Sequence, residues 1–151
     1  MSQKFDAAAL VKVAVGRGPD AARTAHLSET YTDLLGFVPP RIADRFAITG
    51  VLDAQAMELQ EAVRTHAMAT TCFDPKTTQI IIFAMLMMEL SDAALTHAIA
   101  ARRCGASWEE LQAAISLCFL FRGLPAANRG ASVLAEAMQR EQAQPPIQPG
   151  Q

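Results

Sequence analysis

One histidine stands where a proton could be exchanged within an apolar helix. His97 has Ala93, Ala94, Ala100 and Ala101 at positions −4, −3, +3 and +4. On a helix these four positions flank the imidazole. Their small side chains leave room beside it, for a ligand or for another helix. Position alone leaves both a packed core histidine and an acid–base histidine open. Cations follow along the chain. Arg122 precedes Gly123-Leu124-Pro125, and Asn128-Arg129 falls in the first turn of the last predicted helix. A carboxylate ligand needs a cation and donors, and a helix start adds backbone N–H groups. Arg129 near a helix N-terminus opposes the helix dipole and asks for an anionic partner. That partner is a substrate, Glu89, Asp92 or a neighbouring subunit. Arg102-Arg103 reads as a solvated face near a helix C-terminus, where cations are favoured.

The three cysteines, Cys72, Cys104 and Cys118, form no CxxC or CxxH spacing and no metal-ligand pattern. They are expected to be reduced thiols in a cytoplasmic protein. Cys104 lies two helical turns beyond His97, ~10 Å by helical rise, too far for a direct thiol–imidazole pair. His66 shares an apolar stripe with Leu59, Ala62 and Val63, which predicts a core or interface role. No metal and no cofactor is expected.

The elements that must position these residues all read as helices. Asp6–Val15 is a short one, broken by Arg17-Gly18-Pro19, with Pro19 suited to the first turn of the next. Leu27, Tyr31, Leu34 and Leu35 make one stripe that Gly36 ends. Pro39-Pro40 forces a turn before a short helix with Ile42 and Phe46 on its apolar face. Asp53 caps a helix over Ala54–Thr70, and Asp74-Pro75 is a stronger start signal. Ser91 is expected to cap a helix that stops at Gly105. Ser107 and Glu110 form a capping box before Trp108, and that helix carries Leu111, Ala114, Ile115, Cys118 and Phe119 on one side. Gly123 and Pro125 precede the last helix, Ala126–Arg140. No segment sustains strand alternation, so the fold class is all-α. The expected organisation is one domain over residues 1–140 and a disordered tail over 141–151.

Hydrophobic residues make up 51% of the 151, and charged residues 19%. That ratio predicts apolar surface buried between subunits. A formal charge of −2 offers no electrostatic footprint for nucleic acid. The apolar run Ile80–Met88 falls well short of the ~20 residues that a membrane helix needs, so no membrane is expected. It reads instead as a helix buried on all sides, in the centre of a bundle or of a bundle of subunits. The polar start, Met1-Ser2-Gln3-Lys4-Phe5-Asp6, has no signal-peptide character.

Four segments stand in a specific order. They are Asp74-Pro75-Lys76-Thr77-Thr78-Gln79, His97-Ala98-Ile99-Ala100-Ala101, Gly105-Ala106-Ser107-Trp108-Glu109-Glu110-Leu111 and Gly123-Leu124-Pro125-Ala126-Ala127. Together they resemble the carboxymuconolactone decarboxylase family, which includes the alkylhydroperoxidase D-like proteins. The resemblance implies a small helical domain assembled into homotrimers or homohexamers, with His97 in the active-site pocket. The peroxidase branch carries cysteines where this chain has Leu90 and Ala93, and a glutamate near Thr78. Without an attacking and a resolving thiol there, peroxidase or disulfide-reductase activity is the least expected outcome. The decarboxylase branch needs no cysteine pair, but this chain departs from it at Arg122, where an aromatic is usual. The resemblance therefore implies a cofactor-free lyase on a small carboxylated compound, in the setting of aromatic catabolism. His97 would be its acid–base group. Arg122, Asn128 and Arg129 would bind the carboxylate, and Thr78 or Gln79 would donate to a substrate oxygen. A binding or assembly protein that kept the fold and lost catalysis is the alternative.

Overall fold

A computed structural model describes residues 5–143. Among them every regular element is a helix, in keeping with an all-α fold: α1 (Ala7–Val15), α2 (Ala21–Leu35), α3 (Pro40–Leu52), α4 (Ala54–Met68), α5 (Pro75–Met88), α6 (Ala94–Arg103), α7 (Trp108–Arg122) and α8 (Leu124–Ala143). No helix is long and apolar enough to cross a membrane among the described residues. Because α8 runs through Ala143, the first residues of the predicted tail, Glu141–Ala143, are helical. The rest of that tail, 144–151, lies outside the described residues. The described residues fold as two compact units, divided between Ala69 and Thr70.

In the first unit, acidic caps start α1, α2 and α4. Asp6 accepts from the Ala8 and Ala9 N–H groups at 3.0 and 3.1 Å, Asp20 from Arg23 at 2.9 Å and Asp53 from Ala56 at 2.9 Å. Each satisfies donors that have no partner inside the helix. Asp20, rather than Pro19, therefore marks where α2 begins. Gly16 and Gly36 end α1 and α2 in the left-handed region, where glycine is unhindered. The helix α3 packs on α1, α2 and α4, burying Val11, Tyr31, Leu35, Phe46, Val51 and Met57. The predicted inner face of α4 proves to be its outer one. Leu59, Val63 and His66 are exposed, while Met57 and Glu61, one turn apart on the opposite face, are buried. The polar partners that converge on Glu61 turn that face inward.

In the second unit, α5 packs against α6 and α7, and α8 packs against α6 and α7. Asp74 accepts from the Thr77 N–H at 2.8 Å, with Pro75 at the first helical position. Within the single chain the apolar run of α5 is enclosed on one side: Phe83 and Met87 are fully buried, while Met85 is 63% exposed, so burial on all sides would need a neighbouring subunit. Ser91 does not cap α6. Leu90 takes a left-handed conformation (φ 53°), rare for a residue with a branched side chain. The chain then turns through residues 91–93, where the Ser91 hydroxyl accepts from the Ala93 N–H at 3.2 Å. The capping box of α7 forms as predicted: Glu110 N–H donates to the Ser107 hydroxyl at 3.0 Å, and Ser107 N–H to the Glu110 carboxylate at 2.7 Å. Leu111, Ala114, Ile115 and Cys118 are buried, and Phe119 is largely exposed. On the far side of α7, Leu117, Leu120 and Phe121 form an exposed stripe at i, i+3 and i+4.

Candidate functional site

The pairing of α5 with α6 brings Gln79 to His97. His97 Nδ1 lies 2.8 Å from Gln79 Oε1, within ordinary hydrogen-bond distance. Gln79 is only 3% exposed and its neighbour Thr78 is also buried. A buried amide must find a partner or lose the free energy of its desolvation, and His97 is that partner. His97 itself is half-buried. The room that its alanine neighbours leave is largely taken up by packing. Ala94, Ala100 and Ala101 are fully enclosed, and only Ala93 is exposed.

The candidate cations come from α7 and α8 of the same unit. Arg129 Nη2 is 2.6 Å from Asp92 Oδ1. That is one of the ion pairs that the helix-dipole argument allows, and it draws Arg129 to the turn leading into α6. Arg122 is exposed at the last turn of α7, and Asn128 is exposed one turn into α8, which starts at Leu124 rather than at Ala126. The backbone carbonyl of Asn128 accepts from the Ser132 hydroxyl at 3.2 Å. Arg102 is no solvated cation. It pairs with Glu141 at 2.8 Å, donates to the carbonyl of Ala106 and stacks over the Trp108 ring at 4.2 Å. Its guanidinium is planar and meets carboxylate and ring at once, a role that sequence position did not disclose.

All three cysteines are free thiols. Burial pushes the Cys104 and Cys118 thiols up. That is the wrong direction for an attacking thiolate. Among the described residues, no group of three or more His, Cys, Asp or Glu side chains is placed to hold a metal ion.

The first unit holds a polar constellation that the sequence reading missed. Glu61 on α4 is 4% exposed. Its Oε1 accepts from the Tyr31 hydroxyl of α2 at 2.9 Å and from Arg45 of α3, and its Oε2 accepts from Arg64 at 2.9 Å. Arg64 also covers the Tyr31 ring at 4.1 Å and donates to Thr30 at 2.6 Å. Burial, then the bond to Glu61, pushes Tyr31 up to about 12. Tyr31 thus stays protonated and donates; it is no base near neutral pH. Arg45 Nε is buried without a partner, a local cost that the pairing with Glu61 offsets. Glu61 also lines a groove of about 760 Å³ with Arg23, His26, Glu58 and His66. The Glu61–Arg64 spacing of three residues was the visible signal. Tyr31 and Arg45 come from other helices, which periodicity does not connect.

No protein-family profile, curated protein or solved structure matches this chain.

Proposed function

We propose that the chain is a cofactor-free, carboxymuconolactone decarboxylase-like lyase acting on a small carboxylated compound, with aromatic catabolism as its setting. The observation that carries this reading is the hydrogen bond between His97 and Gln79. It gives the one histidine of the resembling motif a fixed orientation on packed helices, which a proton-transfer group needs. Loss of CO₂ leaves a carbanion or enolate that must be protonated, and His97 is the group assigned to that step. Arg122, Asn128 and Arg129 are assigned to the substrate carboxylate, and Thr78 to a substrate oxygen. Arg129 would exchange Asp92 for the substrate. Assembly as a homotrimer or homohexamer in the cytoplasm belongs to the same proposal, its self-association supported by the exposed stripe Leu117, Leu120 and Phe121 of α7.

An NMR titration of His97 with a panel of small lactones and aromatic acids tests the reading. A compound that shifts the His97 resonances, and whose CO₂ release His97→Ala abolishes, supports it. Turnover unchanged by His97→Ala overturns it.

A second reading has its own observation. The alanines around His97 are mostly enclosed by packing, and Gln79 already satisfies one ring nitrogen. That suits a structural histidine in a non-catalytic binding or assembly protein. A His97 signal that responds to no compound between pH 5 and 9 would favour it.

A further inference from the structure

A neutral imidazole carries its proton on one nitrogen, and the hydrogen bond made by a ring nitrogen decides which. The partner of His97 Nδ1 is an amide oxygen, Gln79 Oε1, at 2.8 Å. A carbonyl oxygen has lone pairs and no proton, so with the amide oxygen turned to the ring this contact is a hydrogen bond only when Nδ1 carries hydrogen. Gln79 has little freedom to escape it. It is 3% exposed, beside buried Thr78 and one turn before fully enclosed Phe83. Swinging the amide away would leave buried polar atoms without partners.

We infer that Gln79 is a positioning residue that holds His97 as the Nδ1–H tautomer and makes Nε2 the basic nitrogen of the ring. The inference rests on the reading of His97 as an acid–base group and specifies how that group works. The amide oxygen accepts from Nδ1–H whether the ring is neutral or protonated. The ring therefore keeps its orientation while a proton arrives at Nε2 and leaves it. In its neutral form the ring presents Nε2 as a base. In a decarboxylation, the proton delivered to the carbanion carbon is then one that Nε2 has first taken from an acidic group of the substrate, or from water whose hydroxide combines with the departing CO₂ as bicarbonate. The C–C bond electrons stay on that carbon as CO₂ leaves, the proton joins them, and His97 returns to its neutral Nδ1–H form. Glutamine serves this purpose where a carboxylate would add a charge that favours the protonated ring.

The test is a two-bond ¹H–¹⁵N correlation spectrum of the full chain, labelled at histidine, at a pH where His97 is neutral. The wild-type protein is expected to show a pyrrole-type Nδ1 and a pyridine-type Nε2 at His97. Gln79→Leu should mix the tautomers or reverse them, and Gln79→Glu should restore Nδ1–H. A wild-type spectrum with the proton on Nε2 overturns the inference, since Gln79 would then present its N–H₂ group to the ring. That spectrum decides the matter even if Gln79→Leu does not fold. The two readings also fail separately. An Nδ1–H tautomer with turnover unaffected by His97→Ala removes the lyase and leaves the tautomer. The reverse pattern removes only the role of Gln79.

Discussion

Gly130 of α8 lies against Ile115 of α7 so closely that a Cβ at position 130 would fall 2.7 Å from Ile115 Cδ1 and Cγ2. Gly130 is helical and has no need of positive φ, so its lack of a side chain serves close approach alone. Two effects oppose each other on substitution. Alanine gains about 1 kcal/mol of helix propensity, while overpacking a filled core costs about 1–3 kcal/mol. Ile115 is fully buried and three of its atoms lie within 2.8 Å, so the clash wins. Gly130→Ala should lower the midpoint of urea unfolding, and the double variant with Ile115→Val should recover part of the loss.

The capping box offers a cleaner local test. Ser107→Ala removes the hydroxyl that accepts from Glu110 N–H. The expected loss is about 1 kcal/mol, read as a shift in thermal midpoint. Ser107→Asp, which keeps an acceptor, should restore most of it.

Tyr31 makes high pH informative. Its folded pKa is raised to about 12, above the ordinary value of 10.0. The unfolded chain therefore releases this proton first as pH rises. Stability from Tyr31 is fully present below pH 10.0 and is lost between pH 10.0 and about 12. The full loss is about 2–3 kcal/mol. Tyr31→Phe should flatten that part of the stability–pH curve, as measured by urea unfolding at each pH.

The Arg129–Asp92 pair separates a structural role from a binding one. The pair is largely exposed, so breaking it should cost less than about 1 kcal/mol of stability. If Arg129 holds the substrate carboxylate, Arg129→Ala should raise KM about tenfold, near 1.4 kcal/mol. A thermal midpoint that barely moves while KM rises is the expected result.

Self-association is testable on the stripe of α7. Phe121 is 83% exposed, and a glutamate there would place a charge in any apolar contact that the stripe makes. Phe121→Glu should reduce the sedimenting species to a single chain while leaving the helical circular-dichroism signal unchanged.

Local chemistry was legible in the chain. Asp53, Asp74 and Ser107 act within three residues of themselves, so their caps follow from short-range hydrogen bonding alone. The helices were found for the same reason. What sequence spacing did not disclose is which face turns inward when both faces offer something. On α4 the apolar residues Leu59 and Val63 are the better hydrophobes, yet Glu61 is buried because Tyr31 and Arg45 reach it from other helices. Likewise Ser91 looked like a cap, but the left-handed backbone at Leu90 redirects the chain before α6 can start. Thr78 and Gln79 were candidates for contacting a substrate. That Gln79 meets His97, 18 residues on, depends on how α5 packs with α6.

The Glu61 carboxylate has a consequence for how the first unit comes apart. It accepts from α2 through Tyr31, from α3 through Arg45, and from its own helix through Arg64. No one of α2, α3 and α4 can detach without stranding a buried charge or a buried hydroxyl. Local fraying past that point is uphill for all three at once. The slowest backbone amides of the three helices should then exchange with solvent deuterium at one shared rate, as a single opening event. Glu61→Gln should split that rate into separate ones.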